Sequence, residues 1–190
     1  MPSSVIPLSL LALGMIVGLF VKFPPASIAI SILLYILILL VGIVLGREGA
    51  SLKIGDLKIP ILTLIGTLAS GIIIYPVVGL PVNVSAAISA GLGWYTLAGP
   101  LITKACGAKI GIIAFISNLL REMITLTMAR TISERIGCDS LAASGAAPCM
   151  DTLLPFIAQV CDHNGTMKSF ISGLVLTIIA PLLIPLLLSL

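Results

Sequence analysis

The chain has 190 residues and a formal net charge of +3, with 59% apolar residues and only 9% charged ones. A soluble domain carries roughly 25% charged residues, so the composition excludes a soluble fold and predicts an all-α integral membrane protein. No basic run with interleaved aromatics occurs, which removes nucleic acid from the expected partners.

Seven apolar segments follow one another, at about 5–21, 28–45, 59–80, 84–102, 110–132, 141–160 and 170–190. They form a single membrane domain over 1–190, since a span needs about 20 apolar residues and most of them come close. The first segment lacks a basic start and runs straight into a second apolar stretch, so it reads as a retained span. Between the two, Lys22-Phe23-Pro24-Pro25 forces a turn, because proline cannot continue a helix. Loop 46–58 is the clearly polar connection, with Arg47, Lys53 and Lys58. The positive-inside rule places it, and the N-terminus with it, in the cytoplasm.

Segments 84–102 and 141–160 differ from the others. Each carries glycine and proline in its middle, as Gly91, Gly93, Gly99 and Pro100 in one, and Gly145 and Pro148 in the other. Broken backbone at membrane depth is tolerated only against protein or a water-filled cavity. Both are therefore predicted to be re-entrant or discontinuous helices, the alternative being kinked continuous spans with glycine serving close packing. With both re-entrant, five transmembrane helices remain. Lys and Arg then divide into six inside (Arg47, Lys53, Lys58, Arg130, Arg135, Lys168) and three outside (Lys22, Lys104, Lys109). With both spanning, Lys104 and Lys109 exchange with Arg130 and Arg135, so the count does not choose. Re-entry does bring the broken segments in from opposite faces, as in an inverted repeat.

The chemistry concentrates in segment 110–132. Glu122 falls about 18 Å along that helix at 1.5 Å per residue, near the midplane. A charge there costs roughly 2.5–3.5 kcal/mol on insertion scales and usually faces a cavity or a partner. Gly111, Ala114, Asn118, Glu122, Thr125 and Ala129 make one helical stripe of small and polar residues, which predicts a cavity wall. A structural carboxylate is the other reading of Glu122. Arg121 points about 100° away and is open to three roles: a clamp on Asp151, a clamp on a substrate carboxylate, or an internal counter-charge. Asp151 follows Pro148, where a half-helix would restart, and serves either as a site or as a cap. Two carboxylates and one Arg leave a negative centre suited to a cation or a proton relay. Trp94, beside Tyr95, reads equally as an interfacial anchor and as a site wall.

The remaining candidates carry less. Asn83 reads as a loop cap, and His163 as part of an exposed turn. Cys106, Cys138, Cys149 and Cys161 show no C-x-x-C spacing and read as small packing residues, so no metal or cofactor is expected. Ser144 has no histidine at membrane depth to activate it, which argues against an enzyme. There is no phosphate-binding G-x-x-x-x-G-K-[ST] loop for ATP.

At Gly91-Leu92-Gly93-Trp94-Tyr95-Thr96-Leu97-Ala98-Gly99, Asn118-Leu119-Leu120-Arg121-Glu122 and Pro148-Cys149-Met150-Asp151-Thr152-Leu153-Leu154-Pro155, the chain resembles the lysine exporter LysO family. The resemblance implies a multi-pass exporter of the cytoplasmic (inner) membrane with eight spans and both ends outside. Its intramembrane acids correspond by motif to Glu122 and Asp151. The chain matches the family's C-terminal two-thirds, and the family's N-terminal spans are absent. Five spans here and three there would make eight, which favours re-entry.

The expected function is a secondary transporter exporting L-lysine or related cationic amino acids, coupled to protons or sodium. The expected site is Glu122, Asp151, Arg121, Asn118, Trp94, Tyr95 and Thr125. A channel, or a non-catalytic subunit of a split transporter, is the alternative. Expected partners are membrane lipid, a small membrane subunit supplying the missing spans, and a second copy of the chain, either of which would bury small-residue faces such as Gly14 and Gly18.

Overall fold

The computed structural model describes residues 54–190, together with Leu13, Val17, Ile36, Leu39 and Ile43. The chain divides into two compact units, Met1–Gly49 and Ala50–Leu190. In the first unit the five described residues are helical and exposed. Apart from those five residues, segments 5–21 and 28–45, with Gly14, Gly18 and most of loop 46–58, lie outside the described residues. The second unit carries all the others.

Its described residues form helices and no strand. A 3₁₀ turn, Ile54–Leu57, leads into α1 (Lys58–Val78). Next come α2 (Val82–Ser89), α3 (Tyr95–Cys106), α4 (Ala108–Arg135) and α5 (Cys138–Gly145). A second 3₁₀ turn, Ala147–Met150, precedes α6 (Leu154–Val160) and α7 (His163–Leu188). Three stretches are long and apolar enough to cross a membrane: Gly55–Val78, Ala108–Arg135 and His163–Leu188. They coincide closely with the predicted segments 59–80, 110–132 and 170–190. At 1.5 Å per residue each exceeds the hydrocarbon thickness of about 30 Å. Ile61, Leu62, Ile65, Ile73 and Val77 are all exposed on α1, as expected of a helix with lipid rather than water for solvent. Gly79, in the left-handed region at φ 68°, ends α1 with its N–H on the Tyr75 carbonyl.

One boundary differs from the expectation. The Asp162 carboxylate accepts the Gly165 N–H at 2.9 Å, an N-cap that starts α7 at His163. His163 is thus the first residue of a long helix rather than part of a turn. Asn83 likewise lies inside α2, one residue past its start, and caps nothing.

Segments 84–102 and 141–160 are both discontinuous. The first becomes α2 and α3 around residues 90–94, the second α5 and α6 around the 3₁₀ turn. Among the described residues two that are not glycine have positive φ, Leu92 at 52° and Ala146 at 54°, and each break holds one of them. Such geometry costs of order 1–3 kcal/mol and persists only where surroundings impose it. Here the breaks impose it on each other. The Ala147 N–H donates to the Leu92 carbonyl at 3.1 Å, pairing groups that unwinding had freed. Gly93, at φ 84°, has no Cβ to crowd Pro148, whose Cδ would lie 3.1 Å from it. Behind them α7 passes at Gly173, where a Cβ would lie 3.0 Å from the Ala147 carbonyl oxygen.

Each broken segment starts and finishes at one end of the bundle. Leu80 and Val84, entering α2, pack in one cluster with Leu101 and Cys106 of α3 and with Leu187 and Leu188 of α7. At the other end Cys138 and Cys161 form a disulfide with Cα atoms 5.9 Å apart. The ends of a segment crossing about 30 Å could not meet so closely. The α5–α6 mouth lies at the N-terminal end of α7, since a Cβ on Gly165 would come 2.9 Å from the Cys138 Cβ. Lys168 is 4.0 Å from Asp139 there.

The bridge corrects the reading of two cysteines as packing residues. Short-range spacing rules do not register a pair separated by 23 positions. Cys149, buried, and Cys106, half-buried, are free. Replacing Cys161 by Ser is expected to lower the unfolding free energy by about 3 kcal/mol, the loop-closure entropy of such a bridge. Denaturant titration in detergent measures this. Equal midpoints for variant and parent would show that the bridge adds no stability.

Candidate functional site

Helix α4 organises the interior. Its buried residues Gly111, Ala114, Asn118, Thr125 and Ala129 form one stripe, as the 3.6-residue period requires. In the described part of the chain this stripe packs against the two breaks.

Asn118, only 4% exposed, serves the first break. Its Oδ1 accepts the Gly93 N–H at 2.8 Å, and its Nδ2 donates to the Ile88 and Ala114 carbonyls at 2.9 Å each. Residues three apart share a helix face, so Arg121 reaches the second break. Its Nε donates to the Ser144 carbonyl and its Nη2 to the Ala143 carbonyl, both at 2.9 Å. These carbonyls belong to the last turn of α5, where a helix presents unsatisfied acceptors and the negative end of its dipole. Nη1 donates to Thr67 Oγ1 of α1 at 3.1 Å. Thr125 completes the contact: its hydroxyl donates to the Arg121 carbonyl at 2.9 Å and lies 2.7 Å from Ser144 Oγ. Arg121 therefore binds helix termini and does not clamp Asp151.

Glu122 leaves the buried stripe and is half-buried. Its Oε1 accepts the Thr152 hydroxyl at 2.5 Å. The Thr152 backbone N–H donates to Asp151 Oδ1 at 2.6 Å. One threonine thus ties the two carboxylates together. Tyr95, at the start of α3, stacks edge-on against Phe115 with centroids 5.2 Å apart. It lies within electrostatic range of both Glu122 and Asp151. Trp94 instead packs against Leu92, Ala146, Ala147, Leu176 and Ala180, where the breaks meet. That contact places its partly buried ring at the junction of the two breaks.

The seven candidates therefore fall into three groups. Glu122, Asp151 and Tyr95 share an acidic cluster, Arg121 and Thr125 hold the end of α5, and Asn118 and Trp94 pack at the breaks. Thr152, Thr67 and Ser144 complete these groups. Thr152 lies inside a quoted motif, but a hydroxyl among apolar residues gives no pattern to read. Thr67 sits in an apolar span with no signal at all. Beside Arg121 a cavity of about 520 Å³ opens, walled by Thr63, Thr67 and Ser70 of α1 and by Ala143 and Ser144 of α5.

Residues 8–188 match the family described as lysine exporter LysO. The lysine exporter LysO of Escherichia coli K12 is 31% identical over 156 residues, covering 80% of this chain and 52% of that protein. A Haemophilus influenzae protein, whose name marks it as a candidate lysine exporter, is 31% identical over 190 residues, covering 93% of this chain and 94% of its own length. The chain thus spans about half the length of the first relative and nearly all of the second. No solved structure matches it significantly. With a family match over nearly its whole length and apolar helices to agree with it, the chain is a multi-pass membrane protein that belongs to the LysO lysine exporter family.

Proposed function

We propose that this chain is a secondary transporter that moves L-lysine or a related cationic amino acid out across the cytoplasmic membrane in exchange for protons. One observation carries the reading: Thr152 ties Glu122 to Asp151 beside the junction of two discontinuous segments. Two linked carboxylates attract an ammonium group when ionised and release it when protonated. Proton and amine compete for the same oxygens, and that competition is the chemical basis of exchange. Tyr95 lies within electrostatic range of both carboxylates. The broken segments would enter the bilayer from opposite faces, so that the acidic cluster lies where access from either side converges. Alongside lipid and the amino acid, the proposed partners are a small membrane subunit that supplies further spans and a second copy of this chain.

Cells that make the protein, in a host whose own lysine export has been removed, are expected to hold several-fold less of a toxic lysine analogue than cells without it. Intracellular analogue at steady state is the measurement. Equal accumulation would remove the lysine assignment. Efflux that only dissipates a gradient would favour the alternative, a passive channel or a non-catalytic subunit.

A further inference from the structure

We infer that the cavity beside Arg121 binds the carboxylate of the transported amino acid, through Arg121 and the Thr67 hydroxyl. The inference rests on the transport reading and adds a second point of attachment to it. A guanidinium has five N–H donors. Three are engaged, by the Ser144 carbonyl, the Ala143 carbonyl and Thr67 Oγ1. One N–H remains on each of Nη1 and Nη2, the pair of atoms whose spacing suits the two oxygens of a carboxylate. Thr67 Oγ1 accepts from Arg121 and keeps its own proton to donate. Three donors therefore border one cavity.

The acceptors are there as well. Thr63 donates its hydroxyl proton to the Ile59 carbonyl, and Ser70 donates its own to the Thr67 carbonyl. Both side chains wall the cavity with oxygen lone pairs, which suit the α-ammonium group next to that carboxylate. At about 520 Å³ the cavity has room for one amino acid, and it opens widely to the surroundings on the Leu62 side.

Charge points the same way. Among the described residues no carboxylate forms an ion pair with Arg121: Glu134 pairs with Arg130, and Asp139 with Lys168. Glu122 and Asp151 are both engaged with Thr152. A guanidinium held at membrane depth without a counter-ion is costly. A ligand carboxylate would supply a counter-charge that none of the described residues provides. Holding the end of α5 explains Nε and one N–H of Nη2. It does not explain the N–H donors left over on an arginine that lines a cavity.

The test reads binding, so that it stands apart from flux. Purified full chain in detergent is heated with L-lysine, with 1,5-diaminopentane (lysine without its carboxylate), or with 6-aminohexanoate, which keeps the carboxylate and one amine. Lysine and 6-aminohexanoate are expected to raise the melting temperature, and diaminopentane to need at least about tenfold higher concentration for the same shift. Thr67→Val, which leaves both α5 carbonyl contacts in place, is expected to weaken lysine about tenfold and leave diaminopentane unchanged. Equal potency of lysine and diaminopentane in the parent protein overturns the carboxylate site while leaving the cation-binding reading intact. An unchanged response of Thr67→Val to lysine also overturns it. Stabilisation by none of the three removes the transport reading and this inference together.

Discussion

Glu122→Gln and Asp151→Asn are each expected to reduce pH-driven lysine exchange to background, a loss of at least about 100-fold. Both replacements keep size and shape but remove the negative charge together with the ability to take up and release a proton. The amide oxygen of Glu122→Gln still accepts the Thr152 hydroxyl, and that of Asp151→Asn still accepts the Thr152 N–H, so the local bonds survive. Reconstituted vesicles with an imposed pH gradient, assayed with labelled lysine, give the measurement. Thr152→Val should be milder, because it uncouples the two carboxylates without neutralising either. Gradient-driven transport at the parental rate in both amide variants would show that the acids are structural.

Asn118→Leu is expected to produce a clear loss of stability. It strips the partner from the buried Gly93 N–H at the first break, while the Ile88 carbonyl keeps the Gly91 N–H at 3.2 Å. Leaving a buried polar backbone group unpaired costs about 1–3 kcal/mol, and the Gly93 N–H bears that cost. The Ala114 carbonyl, bonded within α4, suffers less. Leu120→Ala on the exposed face of α4 is the matched control, since Leu120 is 52% exposed. Thermal unfolding in detergent should separate the two clearly. A melting temperature unchanged by Asn118→Leu would mean that the first break holds without this side chain.

The parts of the fold that can be read from sequence are those that one helix or one residue type dictates. Gly93 and Pro148 interrupt apolar runs, and an interrupted run cannot form a continuous helix, so both breaks are visible. The small-residue stripe from Gly111 to Ala129 follows directly from the helical period. Its purpose is not visible, because a small polar face suits a cavity and a tightly packed neighbour equally well. Only the three-dimensional approach of Gly93 and Ile88 to Asn118 decides for packing. Arg121 stays open for the same reason: its partners are backbone carbonyls of α5, and no residue type marks those. The Cys138–Cys161 pair depends on the two legs of a hairpin coming back together, which is a property of topology. His163 reads wrongly as a turn because the capping role of Asp162 depends on Gly165 three residues downstream, a weaker signal than the turn-like Asn164-Gly165.

The disulfide also limits how the second broken segment can move. The hairpin of α5 and α6 is stapled across its open end by Cys138–Cys161. Its tip is held by the Ala147–Leu92 bond, and its first leg by Arg121 at Ser144 and Ala143. With the open end stapled, the two legs cannot part like the blades of scissors. Any displacement that turns Asp151 from one side of the bilayer to the other must swing both legs as a single lever. The pivot would lie at the stapled end, and the travel would be greatest at the tip. The contacts at the tip that must yield include the apolar packing of Ala146 and Ala147 on Leu92, Leu176 and Ala180, one backbone hydrogen bond and the Thr152 link to Glu122. The same lever that carries the carboxylate would therefore break its own latch, joining the movement of the hairpin to the occupancy of the acidic pair.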